Sequence, residues 1–331
     1  MTQAAPVLPE QIEAAQRRIG ATLRPTPVVR SAALGAATGT PVHLKLEHLQ
    51  ETGSFKLRGA TNAVLSLPEA ARNRGVIAAS TGNHGRALAF AARASGARCV
   101  VCMSRLVPQN KIDAIRALGA DIRITGASQD DAQDEVDRLV RDEGFTMIPP
   151  FDHPDVIAGQ GTLGLEIAAA VPDLAVALIP LSGGGLIAGV AAALKARLPE
   201  VRVIGVTMER GAAMYAARKA GHPVPVEEVP TLADSLGGGI GLANRHTFAM
   251  TQALVDDVVL VSESEIAQGI RHAYWHECQI VEGAGAVGIA ALLSGKVRPE
   301  GPALALLSGG NIDMALHHRI ISGEDVDLTK E

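Results

Sequence analysis

Short apolar segments alternate with longer Ala-rich segments along most of the chain. The apolar segments are rich in Val, Ile and Leu, which is typical of strands buried on both faces of a parallel sheet. They predict strands at residues 42–46, 76–79, 98–103, 121–125, 175–180, 202–206, 258–261 and 303–307. The segment that follows residue 261 begins Ser262-Glu263-Ser264-Glu265, a capping box that predicts a helix to about Cys278. The alternation therefore predicts an α/β fold with helices between parallel strands.

The length and one interruption of this pattern indicate two domains. A chain of 331 residues is long enough for two domains at roughly 150 residues each. The pair Pro149-Pro150 interrupts the alternation near the middle, as a crossing between domains would. We therefore expect two domains, each built on an open, mostly parallel sheet flanked by helices.

Composition excludes several classes of function. The net charge of -5 comes without a stripe of Lys and Arg, so we expect no nucleic-acid partner. No apolar segment approaches the ~18 residues that span a bilayer, and the first twenty residues lack the apolar region of a signal peptide. Three cysteines do not make a disulfide framework. These features predict a soluble, cytoplasmic protein that does not bind membranes.

Four loop segments place small or polar residues where predicted strands end, the position at which open α/β sheets bind ligands. Segment 53–60 has Lys56 between glycines, which suits either a Schiff-base lysine or a solvated surface charge. Segment 80–85 places hydroxyls and backbone N–H groups at the start of a helix. This pattern suits a substrate carboxylate, although ordinary helix capping produces it too. Segment 308–313 begins with the hydroxyl of Ser308, and a simple turn would have the same sequence.

The remaining segment, 182–189, contains three successive glycines before a predicted helix. Glycines let the backbone approach a phosphate closely, and the helix dipole favours the anion. The spacing also fits the G-x-G-x-x-G/A pattern, and Glu209 stands where a ribose-binding acid could lie. A nicotinamide dinucleotide held by Gly183 to Gly185, in an oxidoreductase, is therefore an open alternative.

Taken together, the segments resemble one family, the fold-type II pyridoxal-phosphate enzymes that include threonine dehydratases and serine racemases. The resemblance covers nearly the whole chain and includes segments 47–56, 80–85, 156–162, 182–186, 282–287 and 308–311. It implies a fold like that of the tryptophan synthase β subunit. A large cofactor-binding domain is then formed by residues 1–50 and 151–331, and a small domain with the substrate loop by residues 51–150. The resemblance also implies a homodimer.

The resemblance implies a role for individual residues. Lys56 carries pyridoxal 5'-phosphate as a Schiff base, Phe55 packs beside the ring, and Asn83 contacts the ring hydroxyl. Ser308 faces the pyridine nitrogen, where a neutral partner favours elimination over transamination. Residues of segment 80–85 receive the substrate carboxylate, and Lys56 removes the Cα proton. The phosphate is held by Ser182, Gly183, Gly184, Gly185 and Leu186, with Glu282 also near the cofactor; the carboxylate is held by Ser80, Thr81, Gly82, Asn83 and His84, with Thr81 also assigned to catalysis. The implied reaction is a β-elimination, by a lyase of the ammonia-lyase type, that releases a 2-oxo acid and ammonia.

Two departures narrow this expectation. Some relatives place a divalent cation after the strand at 202–206, but the matching positions here look like Thr207, Gly211 and Ala213, which lack carboxylates. We therefore expect no metal at that place. The loop at 235–242 has glycines, including Gly238 and Gly239, at positions that resemble those where serine racemases carry a pair of serines near the substrate.

This loop, with segments 208–214 and 272–277, most resembles the hydroxyectoine-utilisation dehydratases. The implied substrate is of the 2,4-diamino-3-hydroxybutyrate type, with Glu209 as a candidate partner for its second amine. Alternatives are L-threonine or L-serine ammonia-lyase, hydroxyaspartate dehydratase, serine racemase, and a non-catalytic ligand sensor.

Two further patterns resemble metal or redox sites. His272 and His276 have zinc-ligand spacing on one helix face, but no third ligand accompanies them, so we interpret them as exposed helix polarity. Cys99 and Cys102 form a CxxC inside an apolar strand, which favours buried packing over a reactive dithiol.

Overall fold

The computed structural model describes residues 5–80, 82–107, 109–326 and 328. Within these residues the strands are β1 (Val28–Ser31), β2 (Val42–Leu46), β3 (Val76–Ala79), β4 (Cys99–Met103), β5 (Asp121–Ile124), β6 (Thr146–Met147), β7 (Val176–Pro180), β8 (Arg202–Met208), β9 (Asp257–Val261) and β10 (Ala303–Leu307). The helices are α1 (Pro9–Ile19), α2 (Ala32–Thr38), α3 (Lys56–Ser66), α4 (Glu69–Arg74), α5 (Asn83–Ala94), α6 (Gln109–Ala117), α7 (Gln129–Glu143), α8 (Pro154–Ala170), α9 (Gly185–Arg197), α10 (Ala213–Ala220), α11 (Thr247–Leu254), α12 (Glu263–Glu277), α13 (Gly283–Leu293) and α14 (Met314–Ile321). Short 3-10 turns lie at Glu47–Leu49 and Asp234–Leu236.

The strands form two sheets. The larger has the order β1-β2-β10-β7-β8-β9, and all its neighbours are parallel except β1 and β2. The smaller has the order β5-β4-β3-β6 and is parallel throughout. The smaller sheet comes from the middle of the chain, whereas the larger combines strands from both ends. The predicted α/β class is thus confirmed, while the predicted domain boundaries near residues 50 and 150 stay a prediction.

All eight predicted strands are present, with ends that differ by at most two residues. The pattern missed β1 and β6. Strand β1 is an antiparallel edge strand whose first three residues are only partly buried or exposed, so it lacks a continuous apolar segment. Strand β6 has two residues, which is too short for any periodicity. The predicted helix after the capping box is α12, and both hydrogen bonds of the box are formed.

Alternate side chains of the central strands enter different cores. In β10, Ala303, Ala305 and Leu307 pack with α12 and α13, whereas Leu304 and Leu306 pack with α8 and α9. This is the two-sided burial expected of a parallel sheet between helical layers. Helices therefore cover both faces of the larger sheet. Ligands can then bind at the loops that follow the carboxyl ends of its strands.

A buried ion network fixes helix α3, whose first residue is Lys56. The Arg58 guanidinium donates to Glu47 at 2.8 Å and to Glu166 of α8 at 2.6 Å, and Lys45 also pairs with Glu166. Burial alone would lower the pKa of Arg58, but the two carboxylates raise it above its ordinary value. Removing one partner from such a buried network costs about 3–5 kcal/mol. The network therefore anchors the start of α3 against β2 and α8.

Helices α3 and α8 also approach closely at a glycine. A Cβ on Gly159 would lie 2.6 Å from the carbonyl oxygen of Arg58, so only glycine allows this spacing. Within the described ranges no helix is both long and apolar enough to cross a bilayer.

Candidate active site

A cavity of about 260 Å³ lies between the two sheets. Its walls come from loops at the carboxyl ends of β3, β7 and β10 and from the start of α3. The structure therefore brings together segments that are separated by more than two hundred residues in the chain, and the predicted loops after these strands meet at one place.

Lys56 lies in this cavity with its amine buried. Its Nζ donates to the carbonyl oxygen of Pro150 at 2.7 Å and lies 5.3 Å from the centre of the Phe55 ring. Burial lowers the pKa of Lys56 to about 8, although the nearby Glu282 carboxyl opposes the shift. The amine is therefore neutral in a larger fraction of molecules than an exposed lysine, which favours nucleophilic chemistry.

The three glycines of segment 182–186 form a turn between β7 and α9, and all five residues of the segment line the cavity. Gly184 has a φ of +89°, a conformation that favours glycine. A Cβ on Gly183 would lie 2.5 Å from the Phe151 ring. The turn therefore needs glycine, and it leaves the N-terminus of α9 directed at the cavity as an anion site.

A second helix N-terminus, that of α5, borders the same cavity. Ser80, Gly82, Asn83 and His84 all line it, while Thr81 lies outside the described residues. The hydroxyl of Ser80 accepts from the backbone N–H of Gly85 at 3.1 Å. Two helix N-termini thus border the cavity. That of α5 follows a strand of the smaller sheet, that of α9 follows a strand of the larger sheet, and each can bind an anionic group.

Asn83 and Glu282 are held together at the base of the cavity. The Asn83 amide donates to Glu282 at 2.8 Å, and its oxygen accepts from Asn311 at 2.6 Å. The backbone N–H of Asn311 also donates to Glu282 at 3.1 Å. These hydrogen bonds orient both side chains. Burial and, to a smaller extent, the Asp234 carboxylate together raise the pKa of Glu282 to about 7.

Ser308 directly follows β10 and is 2% exposed. Its hydroxyl lies 3.5 Å from the carbonyl oxygen of Ala284, and both residues line the cavity. A neutral hydroxyl thus stands at the carboxyl end of a central strand, as the sequence predicts.

Three predicted substrate residues do not line the cavity. Gly238 and Gly239 lie just beyond Gly237, which does line it. Glu209 lies outside, and its exposed carboxylate accepts from Lys296 at 3.2 Å. The loop after β8 directs this side chain toward Lys296 and away from the cavity, so the assignment of Glu209 to the substrate stays a prediction.

The cavity also contains residues that the motifs did not indicate. Phe151 packs against the glycine turn, and the Lys111 and Asp234 side chains line the cavity from different parts of the chain. Ser235 accepts from the Asn83 amide at 3.4 Å. Phe151 directly follows the Pro149-Pro150 pair, and this sign of a domain crossing could have indicated a residue near the cavity. No sequence pattern pairs Lys111 with Asp234.

Comparisons with known proteins agree with this geometry. The family model described as "Pyridoxal-phosphate dependent enzyme" matches residues 19–309. The chain is 65% identical over 315 residues to a Sinorhizobium fredii protein named "Putative threonine dehydratase", with 95% of each chain covered. It is 42% identical to the L-threonine ammonia-lyase of Thermotoga maritima, covering 95% of this chain and 78% of that one. The maize serine racemase structure superposes with a TM-score of 0.89 at 31% identity, covering 96% of this chain and 97% of the other.

The chain belongs to the pyridoxal-phosphate-dependent enzymes. It is a fold-type II member of the threonine dehydratase and serine racemase family, a lyase of the threonine/serine dehydratase type, and its cofactor is pyridoxal 5'-phosphate. This decides the choice that the glycine spacing left open, because the turn at Gly183 to Gly185 belongs to a pyridoxal-phosphate enzyme and not to a nicotinamide oxidoreductase.

The residues of the cavity fit this cofactor. An aldehyde needs an amine, and Lys56 supplies a buried one whose pKa is lowered. A phosphate needs backbone N–H groups, and the glycine turn presents them where Phe151 leaves no room for side chains. The cavity therefore supplies both an amine for the aldehyde and an anion site for the phosphate.

His84 is a neutral polar group in this site. Its Nε2 lies 2.7 Å from the carbonyl oxygen of Ile148 and therefore carries the hydrogen. Burial, together with the charge of Lys56, lowers the pKa of His84 to about 3. His84 thus adds no positive charge to the pyridoxal-phosphate site near neutral pH.

The two patterns outside the site have different outcomes. His272 is not exposed as expected but buried, and its Nε2 lies 3.1 Å from Glu277. Cys99 and Cys102 are buried, as expected, and pack in different apolar clusters. Burial raises the pKa of both thiols, to about 12 and about 11 respectively, so neither forms a reactive thiolate.

Proposed function

We propose that this enzyme dehydrates a β-hydroxy amino acid and releases its nitrogen as ammonia. The Cα proton and the β-hydroxyl leave as water, the enamine product tautomerises to an imine, and one water hydrolyses it to a 2-oxo acid and ammonia. The observation that carries the proposal is the buried Lys56 amine in a cavity that also has two helix N-termini.

Several residues would hold the cofactor. Lys56 would bind its aldehyde carbon covalently, the segment 182–186 its phosphate, and Asn83 and Ser308 the ring hydroxyl and ring nitrogen. When bound, the cofactor withdraws electrons from Cα and so makes the Cα proton acidic. Ser308 has no charge to hold a proton on the ring nitrogen, which favours elimination over transamination.

The N-terminus of α5 would bind the substrate carboxylate. Its backbone N–H groups and the hydroxyl of Ser80 can donate to an anion, and Gly82 leaves the backbone accessible because a Cβ there would meet nothing within 4 Å. We assign Thr81 to the same subsite and to catalysis from its position in the sequence. This contact would fix the substrate so that its Cα faces Lys56.

Lys56 would also move the proton. Once the substrate amine has replaced it, the freed Nζ can take the proton from Cα. A pKa of about 8 suits this role, because such an amine is neutral in part of the molecules at physiological pH and still basic enough to accept a proton.

For the substrate we propose a 2,4-diamino-3-hydroxybutyrate type of molecule, as would arise in hydroxyectoine breakdown. The support is the resemblance of segments 208–214, 235–242 and 272–277 to the hydroxyectoine-utilisation dehydratases. Asp234 adds support, because it lines the cavity and could accept from a second amine, whereas Glu209 lies outside the cavity.

L-Threonine is the second candidate. The names of the Sinorhizobium and Thermotoga relatives favour it. L-Serine and 3-hydroxyaspartate have the same β-hydroxyl, and the maize structure adds serine racemisation as a competing outcome.

The test is a substrate panel with the purified, cofactor-loaded enzyme. We expect release of a 2-oxo acid and ammonia in equal amounts, with the largest kcat/KM for the diamino substrate. A largest kcat/KM for L-threonine would contradict the substrate and retain the reaction. Conversion of L-serine to D-serine without release of ammonia would contradict the reaction itself. We also propose that the enzyme is a cytoplasmic homodimer. Light scattering of the purified protein would check the dimer.

A further inference from the structure

Two side chains of opposite charge, which lie next to different sheets, line the outer end of the cavity. Lys111 is on α6, next to the four-stranded sheet, and Asp234 is in the 3-10 turn at Asp234–Leu236, on the side of the six-stranded sheet. Both line the cavity, and Lys111 Nζ lies 4.0 Å from Asp234 Oδ2. Their side chains are 43% and 67% exposed. We call these two residues the mouth pair.

The Asp234 carboxylate has a fixed orientation. Its Oδ1 accepts from the backbone N–H of Ser235 at 2.8 Å and from the Ser235 hydroxyl at 3.4 Å. Gly237 N–H donates to the backbone oxygen of Asp234 at 3.0 Å. Oδ2 is therefore the oxygen directed at Lys111, while Oδ1 is engaged by Ser235.

Asp234 is also close to the reacting end of the cavity. Its neighbour Ser235 contacts Asn83, which stands at the start of α5 where the substrate carboxylate is proposed to bind. Successive Cα atoms are about 3.8 Å apart. The Asp234 charge acts on Glu282 at the base of the cavity as well. A substrate side chain that extends beyond Cβ toward the outer end would therefore meet the mouth pair.

Lys111 is the more adaptable member of the pair. A lysine ammonium is a point charge on a flexible four-carbon chain, whereas the carboxylate of Asp234 is fixed by Ser235. A ligand ammonium can take the place of Lys111 at Oδ2, and Lys111 can turn to solvent. A ligand carboxylate would lose the favourable contact, because the fixed charge at this place is negative.

We infer that the mouth pair selects substrates by side-chain charge, with Asp234 binding a side-chain ammonium in exchange for Lys111. The inference rests on the proposed function in one respect, namely that the substrate side chain extends toward this end of the cavity. It makes Asp234 a specificity residue for cationic β-hydroxy amino acids. Lys111 then lowers the affinity for these cations by competing with them.

The test uses ligands that bind without elimination. L-2,4-Diaminobutyrate, L-2-aminobutyrate and L-aspartate lack a β-hydroxyl and have a cationic, a neutral and an anionic side chain. Their dissociation constants are measured from the visible absorbance of the pyridoxal-phosphate-loaded enzyme. The variants are Asp234→Asn and Lys111→Gln, with Asp113→Asn as the matched control, because Asp113 is an exposed carboxylate on α6 that pairs with Arg116 and does not line the cavity.

For Asp234→Asn we expect affinity for the diamino ligand, relative to the neutral ligand, to fall about three- to tenfold, since partly exposed charge pairs are weak. For Lys111→Gln we expect the same ratio to rise and the relative affinity for L-aspartate to fall. Added salt should reduce both effects. The Asp113→Asn control should leave all three ratios within twofold of the wild type, as surface changes usually do.

Two results would overturn the inference. In one, Asp234→Asn leaves the ratio of cationic to neutral affinity unchanged. In the other, both variants shift all three ligands by the same factor, which means that the mouth pair only links the two sheets. A wild-type enzyme that releases no 2-oxo acid from any hydroxylated substrate contradicts the proposed function separately, because the ligand ratios do not depend on elimination.

Discussion

The two ends of the cavity differ in burial and in how their charges are fixed. At the base, Asn83, Glu282, Ser308 and the amine of Lys56 are buried, and each makes a hydrogen bond to another part of the chain. At the outer end, the side chains of the mouth pair are 43% and 67% exposed and lie 4.0 Å apart. Desolvation lowers the pKa of Lys56 to about 8 and, with the charge of Asp234, raises that of Glu282 to about 7.

This difference suggests a division of work. Buried groups with shifted pKa values suit covalent and proton-transfer chemistry, which needs fixed geometry. Exposed charges contribute less energy each, but they can distinguish ligands by charge. We therefore expect changes at the base to remove the reaction, and changes at the outer end to alter which amino acid is used.

The largest effect should come from Lys56→Ala. Without the amine, the cofactor loses its covalent link and Cα loses its base, so we expect kcat to fall by about 10⁴-fold. Borohydride treatment followed by peptide mass analysis should find a reduced adduct on Lys56 in the wild type and none in the variant. Lys219→Ala, an exposed lysine on α10, is the matched control. Turnover that survives Lys56→Ala would refute the separation of the two ends.

A smaller effect is expected from Gly183→Ala. The added Cβ would lie 2.5 Å from the Phe151 ring, so the turn must move and its N–H groups lose alignment with the phosphate. We expect the affinity for pyridoxal 5'-phosphate to fall about 10- to 100-fold, corresponding to the loss of about one hydrogen bond to a charged group. Gly35→Ala in α2 is the control, because its Cβ would meet only Thr40 O at 3.4 Å. Unchanged cofactor affinity would show that the turn does not bind the phosphate.

The pH dependence of cofactor attachment sharpens the view of the base. Only the neutral amine attacks an aldehyde, so below the pKa of Lys56 the rate should fall about tenfold per pH unit. With a pKa of about 8, the rate of attachment to the cofactor-free protein should rise up to that pH and then level off. An ordinary lysine, with a pKa of 10.5, would level off more than two units higher.

Glu282→Gln tests whether the Glu282 carboxylate contributes to this pH profile. Glu282 raises the pKa of Lys56, so its removal should move the profile to lower pH. The measurement is the absorbance change on mixing cofactor with cofactor-free protein over a range of pH. A profile that does not move would mean that Glu282 exerts no field on the amine.

The sequence predicted the base far better than the outer end. The glycine turn and Ser308 follow the neighbouring strands β7 and β10, whose carboxyl ends meet at one edge of the larger sheet. Lys56 and Asn83 lie in motifs that the family resemblance already covered. Lys111 and Asp234 come from a helix and a turn that belong to different sheets. Their proximity depends on how the sheets are packed, which no local pattern specifies. Likewise β1 and the burial of His272 arise from tertiary contacts alone.

The smallest effect should come from Glu209→Gln, which tests the sequence-based choice of acidic partner against the mouth pair. Glu209 is about half exposed and pairs with Lys296, away from the cavity. Because exposed pairs contribute about 0–1 kcal/mol, we expect kcat/KM for every panel substrate to stay within about twofold of the wild type. Steady-state kinetics with the cationic and the neutral substrate would measure this. A selective loss for the cationic one would place its second amine near the end of β8, and since that loop lies outside the described cavity, the enzyme would then have to close differently around its substrate.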